Sequence, residues 1–202
     1  MMILRSSGPS PFVRKVRIAA SLLGLADQIE EQPADLNAAG DSIRRQNPLG
    51  KVPTLIAEDG AIYYDSRVIL DYLDHRAGGG RIVPRDPKAR FAALSLQALC
   101  DGIIEASLLI VYEGRYRPAD KRVDDWVERQ AEKAARGLAV LEAAPPKIDA
   151  MPDVGQITLA CALGYRDLRF EGSWRKGHPK LVAWLDKFAA QVPSFAATKV
   201  AA

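Results

Sequence analysis

Short apolar runs alternate with helically spaced ones over the first third of the chain, and helical spacing alone fills the rest. Ile3 and Leu4 predict an opening strand. Across residues 11–25, Val13, Val16, Ala20 and Leu23 recur at helical intervals, with Gly24 as a stop signal. Residues 28–31 predict a short strand and residues 41–46 a short helix. Residues 52–57 are rich in strand formers, Glu58-Asp59-Gly60 forms a turn, and residues 61–64 resume the strand pattern. Asp-Gly between two such runs predicts a hairpin. Residues 66–75 then read as a helix with Val68, Ile69, Tyr72 and Leu73 on one side. The order β-α-β-α-β-β-α predicts a layered α/β domain over residues 1–79.

Three consecutive glycines, Gly78 to Gly80, then Pro84 and Pro87, break the pattern. They predict a linker at residues 80–86. Residues 88–113, 124–142, 154–169 and 180–191 carry helical spacing, and no strand pattern follows Pro87. The second domain, residues 87–202, is therefore expected to be an all-α helical bundle, with residues 196–202 as a frayed tail.

Composition narrows the class. The chain has 202 residues, 48% hydrophobic and 26% charged, which excludes a disordered chain and allows a sizeable core. The longest apolar run, residues 106–112, falls well short of the roughly 20 residues a membrane span needs, so no membrane association is expected. The N-terminus lacks a basic stretch followed by a long apolar core, so no secretion signal is expected. Cys100 and Cys161 form no Cys-x-x-Cys pair, which fits a reduced, cytoplasmic setting. A net charge of +3 with both signs interspersed does not suggest a nucleic-acid partner. His75 and His178 stand apart from each other and from any carboxylate motif, so no metal site is expected. Arg14, Lys15 and Arg17 read as a solvated or salt-bridged helix face.

Three short segments carry candidate chemistry. Ser10-Pro11 opens the first helix: serine suits the N-cap and proline the first helical position. A capping serine uses an acceptor lone pair, and its O–H can still donate elsewhere. The helix N-terminus adds positive potential, so a thiolate held there would have its pKa lowered from about 8.5. Ser6 and Ser7, at the end of the first strand, are rivals for that role. The second segment is Asn47-Pro48-Leu49-Gly50-Lys51-Val52-Pro53-Thr54-Leu55. Proline does not suit a central strand, so either Pro53 is special or the strand starts after it. A cis Val52–Pro53 bond would offer the Val52 N–H and C=O to an extended, peptide-like ligand. The third is Asp65-Ser66, which caps the helix after the hairpin and could receive a ligand carboxylate at its positive end.

Together SPFVRKVRIA, NPLGKVPTL and YYDSRVILDYL resemble the N-terminal half of a bacterial glutathione transferase, a thioredoxin-like domain. MPDVGQITLACALGY and HPKLVAWLDKFAAQVPSF are similar to helices of that family's second domain. The resemblance implies glutathione as co-substrate, a small electrophile as second substrate, and a homodimer. It places Ser10 at the catalytic position and Phe12 beside the thiol. Lys51, Val52 and Pro53 would lie along the cysteinyl and glycyl parts, with Pro53 cis, and Asp65 and Ser66 would hold the γ-glutamyl end. With the first tyrosine at Tyr63 and the first cysteine at Cys100, a serine is left for the thiol. The electrophile site is expected near Ser10 and Phe12, with Tyr112, Tyr116 and Trp174 as candidate aromatic walls. Relatives that serve as non-catalytic binding or stress-response modules are the alternative. One departure is Asp153-Val154-Gly155-Gln156, where the family has Ser or Thr, then Asp three residues later; Asp153 can still cap, and Gln156 can reach back to complete a capping box.

Overall fold

A computed structural model of the chain describes residues 1–200. Two compact units are formed, one from Met1–Arg90 with Val192–Val200, the other from Phe91–Gln191.

The first unit is a four-stranded sheet with helices. Strand β1 (Met2–Ser6) leads to helix α1 (Pro11–Leu23), then β2 (Ile29–Pro33), the short α2 (Ile43–Gln46), β3 (Thr54–Ile56), β4 (Ile62–Tyr63) and α3 (Ser66–Arg76). The sheet order is β2-β1-β3-β4, with β1 parallel to β2 and antiparallel to β3, and β3 antiparallel to β4. The element order is the expected β-α-β-α-β-β-α of a thioredoxin-like domain. The predicted hairpin forms at Asp59-Gly60, where Gly60 has φ +86. Helix α1 stops at Leu23, two residues short of the expected end, because Gly24 turns left-handed at φ 71. Helix α2 starts after Asp41, whose carboxylate instead accepts the N–H groups of Asp35 and Ile43 and the guanidinium of Arg5. Strand β3 starts after Pro53, which has no N–H to give to the ladder.

The glycine run is ordered by one carboxylate. Asp74 of α3 is buried and accepts N–H bonds from Gly80, Arg81 and Ile82 at 2.7, 2.9 and 2.8 Å. Gly78, Gly79 and Gly80 hold φ of +98, +73 and +80, a conformation that side chains disfavour.

The tail expectation is overturned over residues 196–200; residues 201–202 lie outside the described residues. Helix α8 (Pro193–Ala197) packs on α1, Val192 and Phe195 are buried, and Arg14 reaches back to it. The Arg14 guanidinium donates to Thr198 Oγ1 at 3.2 Å and to the Phe195 carbonyl, and lies 4.0 Å from the Phe195 ring centre. A buried aromatic and a buried guanidinium hold a segment whose place at the end of the chain suggested fraying.

The second unit is all-helical: α4 (Pro87–Tyr116, from Phe91), α5 (Asp124–Ala143), α6 (Val154–Phe170) and α7 (Pro179–Gln191). By length and composition α4 could cross a membrane, its most apolar window having mean hydropathy 1.7. No long uninterrupted apolar run marks this helix, because charges are spaced along it. Its Cys100, Ile103 and Ile104 are buried, as in the core helix of a folded unit. Helix α6 starts against α4: a Cβ on Gly155 would lie 2.7 Å from the Ala93 carbonyl oxygen, so only glycine fits. Cys100 and Cys161 are both buried.

Asp153 caps α6, accepting the Gln156 N–H at 2.9 Å. The reciprocal half of the capping box does not form. The Gln156 amide turns to the preceding loop, donating to the Lys147 carbonyl (3.0 Å) and Asp149 carboxylate (2.7 Å) and accepting from the Asp149 N–H (3.2 Å). Three partners there outweigh one at the cap.

Asp153→Ala is expected to lower stability by about 1 kcal/mol, the worth of a cap. Asp74→Ala, which leaves three N–H groups without their acceptor, should lower it by about 3 kcal/mol. Urea unfolding of both variants checks the ranking; an Asp74 variant as stable as the Asp153 variant would contradict the organising role of Asp74.

Candidate functional site

Between β1 and α1 the chain turns through Ser7 to Ser10. Ser10 has extended backbone (φ −73, ψ 119) and is the N-cap: its Oγ accepts the Val13 N–H at 3.3 Å, while its own N–H donates to the Ser7 carbonyl at 3.1 Å. The cap bond uses an Oγ lone pair, so the O–H is left to donate. The first turn of α1 carries no acid, so the positive helix end is not neutralised from within. Ser6 closes β1 and is buried; Ser7 is half-buried.

The loop before β3 approaches the same end of the sheet. Arg5 pairs with Thr54, and one further step of that register sets Pro53 opposite Ser6. The Val52–Pro53 peptide is cis. Lys51 is exposed, Val52 half-buried and Pro53 buried. Val52 precedes β3 and stands outside the ladder. Buried Asn47 shapes this loop: its amide donates to the Lys51 carbonyl and Thr54 Oγ1, both at 3.1 Å, and accepts the Leu49 N–H at 3.0 Å. Asn47 is a positioning residue that the sequence reading left unassigned, although Asn-Pro-x-Gly is a turn signal.

Asp65 is the N-cap of α3 and accepts the Arg67 N–H at 3.0 Å. Its peptide with Tyr64 is also cis. Burial acts to raise the Asp65 carboxyl pKa, but hydrogen bonds from the Arg67 side chain and backbone, with the charges of Arg67 and Lys15, hold it below the usual carboxylate value. Ser66 is buried, and its Oγ accepts from Lys15 Nζ at 3.2 Å.

Lys15 corrects the sequence reading most. It was expected on a solvated or salt-bridged face with Arg14 and Arg17; Arg14 and Lys15 are buried, and only Arg17 lies at the surface, paired with Glu31. Lys15 shares the α1 face of Pro11, Ile18 and Ala19, all buried, and that i, i+3, i+4 spacing was the available signal. Its ammonium lies 5.8 Å from the Phe12 ring centre and beside Ser66. Phe12, Lys15, Ser66 and Asp65 thus form one connected group where the start of α1 meets the start of α3.

The electrostatics of this group favour an anion. A buried ammonium stands at the N-terminal end of a helix, where the dipole is already positive. A carboxylate placed there meets the ammonium, a hydroxyl and helix N–H groups together. An amine beside Asp65 would meet a carboxylate that stays ionised at neutral pH. The group therefore suits a ligand carrying both charges on neighbouring atoms.

Of the aromatic candidates in the helical unit, Trp174 is buried and donates Nε1–H to Asp167 at 2.8 Å, so it serves the core. Tyr112 and Tyr116 meet edge to face with ring centres 5.2 Å apart, Tyr116 being exposed. Among the described residues no group of His, Cys, Asp and Glu side chains could hold a metal ion.

The chain matches two family models, "Glutathione S-transferase, N-terminal domain" over residues 9–76 and "Glutathione S-transferase, C-terminal domain" over residues 124–187. It is 35% identical to the GST-like protein YibF of Escherichia coli K12, over 98% of both chains. It is 40% identical, with TM-score 0.91 and full coverage of both chains, to a glutathione transferase family member from Pseudomonas fluorescens Pf-5 with bound glutathione. A second structure from that organism, with bound S-(propanoic acid)-glutathione, is 39% identical with TM-score 0.87 and full coverage.

Removing the Lys15 charge should raise the Asp65 pKa. In the folded protein that carboxyl lies below its unfolded value, so it adds stability above the ordinary carboxylate pKa and loses it as pH falls through the depressed value. In Lys15→Met, NMR titration of the Asp65 carboxyl should show a midpoint at higher pH than in the parent protein. An unmoved midpoint would mean that the Lys15 ammonium does not reach Asp65.

Proposed function

Because the chain belongs to the glutathione S-transferase family, we propose that it joins the thiol of glutathione to a small electrophile, using the site at the starts of α1 and α3. The observation that carries this reading is the group formed by Lys15, Ser66 and Asp65 beside the cap at Ser10. In this reading the γ-glutamyl carboxylate is held by Ser66 and Lys15, and the γ-glutamyl amine by Asp65. The cysteinyl backbone pairs with Val52, whose N–H and C=O lie ahead of β3, and Pro53 keeps that edge open. Lys51 lies along the glycyl end.

The thiol then stands at the N-terminus of α1 with Phe12 beside it. The Ser10 O–H donates to the thiolate, and the helix dipole adds to its stabilisation. The protein needs no general base: it lowers the thiol pKa, the proton leaves to solvent, and the sulfur forms its new bond as the electrophile releases its leaving group or takes the electron pair. The relatives with bound glutathione and with bound S-(propanoic acid)-glutathione support a site that takes both the thiol and a sulfur-substituted form. A homodimer in the cytoplasm belongs to the same proposal, and exposed Phe91, Leu99 and Leu109 on α4 offer apolar surface for a second copy. The alternative, a non-catalytic binding or stress-response module, is disfavoured by an anchor that keeps Asp65, Ser66 and Lys15 together.

In Ser10→Ala the thiolate absorbance of bound glutathione should titrate about one unit higher, with kcat reduced about tenfold. Ser66→Ala and Lys15→Met should instead raise the KM for glutathione. An unchanged thiolate titration in Ser10→Ala would move the role to Ser6, Ser7 or backbone N–H groups. Absence of turnover with an aromatic halide and a hydroperoxide, together with no retention on immobilised glutathione, would overturn the transferase reading.

A further inference from the structure

Helix α2 leads into the loop that carries Lys51 and Val52, and little apolar packing holds it. It has four residues, and Ile43 is its one buried side chain. A helix that short is not stable by itself. A guanidinium from the sheet ties it down. Arg5 of β1 is buried and projects from the face opposite Leu4. Its Nη1 donates to Ser42 Oγ and Gln46 Oε1, and its Nη2 donates to Asp41 Oδ1 at 2.9 Å and to the Pro33 carbonyl at 3.2 Å. All four partners lie within residues 33–46. Its Nε–H is buried without an acceptor, so the terminal nitrogens alone set its position. Both members of the Arg5–Asp41 pair are largely buried, so salt screens it little.

Arg5 also reaches the loop from the other side. Its backbone pairs with Thr54 in the register of β1 with β3. Thr54 Oγ1 donates to the Lys51 carbonyl at 2.9 Å and accepts from the Asn47 amide at 3.1 Å. The Asn47 N–H donates to the Ile43 carbonyl at 2.7 Å and closes α2. The path from the Arg5 backbone through Thr54, Lys51, Asn47 and α2 therefore returns to the Arg5 side chain. Arg44 of α2 meets the turn before Lys51 as well: a Cβ on Gly50 would lie 3.4 Å from its Cγ. Exposed Lys51 hangs on this closed path. A lysine at position 5 could not close it, because a compact ammonium lacks the planar fork that spans four acceptors.

We propose that Arg5 is the positioning residue for recognition of the glycyl carboxylate: by fixing α2 it fixes Lys51 where that carboxylate lies. The inference rests on the glutathione reading above, and adds the residue that makes the site prefer glutathione to the same thiol without its glycine. Arg5 touches neither the ligand nor the reacting atoms. Its loss frees the loop end of α2 and leaves in place the group at Lys15, Ser66 and Asp65, which is built on α1 and α3.

Calorimetric titration of the full chain with glutathione and with γ-glutamylcysteine tests it. The parent protein should bind glutathione about tenfold more tightly than γ-glutamylcysteine, the worth of one charge-assisted contact. In Arg5→Met and Arg5→Lys this preference should fall to about twofold, because glutathione binds more weakly while γ-glutamylcysteine keeps its affinity. The thiolate absorbance of bound glutathione should titrate as in the parent protein, since Ser10 and α1 are untouched. Gln46→Ala, at a half-buried position, removes one of the four bonds and should lower the preference about threefold; it decides the matter if the Arg5 variants do not fold. Equal weakening of both ligands in every variant, an undiminished preference in the variants, or a parent protein without any preference would overturn the role of Arg5. A parent protein that binds neither ligand would overturn the glutathione reading and this inference with it.

Discussion

A fully buried ammonium constrains the N-terminal unit more than any other single group. Lys15 sits on the inner face of α1, and a charge in that position must be met by polar groups from whatever packs against it. Ser66 provides an oxygen and Asp65 a nearby negative charge, which fixes where α3 starts relative to α1. Packing α1 on α3 by apolar contacts alone would allow sliding by a turn; a buried hydrogen bond does not. The concentration of positive charge that makes the position demanding also makes it suited to a ligand carboxylate.

Carboxylates organise the remaining irregular backbone. Asp41 gathers Asp35, Ile43 and Arg5, Asp74 gathers three N–H groups of the glycine-rich turn, and Asp153 caps α6. An ionised carboxylate has several acceptor sites, so one side chain can satisfy a whole turn of otherwise unpaired N–H groups. Asn47 does comparable work in the loop ahead of Pro53 with a neutral amide. The peptide edge at Val52 is therefore set by a rigid loop rather than by β3 itself.

The helical unit relies more on apolar contact. Close helix contacts at Gly155 and the apolar residues of α4 fix the packing, while Arg166 and Arg169 keep buried N–H groups without acceptors inside the unit.

Much of this was legible in the chain itself. Period-two and helical spacing, the Asp59-Gly60 turn, the Ser10-Pro11 start and the Gly24 stop act over a few residues, so they determine the elements and the family resemblance without tertiary context. Ser10, Pro53, Asp65 and Ser66 were visible because helix starts and prolines have local signatures. The burial of Lys15 and Arg14, the docking of Phe195 and Thr198 on α1, and the turn of Gln156 away from its cap were decided only by tertiary structure. Each depends on partners dozens of residues away, or on competition between a near and a slightly farther acceptor, and local spacing carries no record of which one wins.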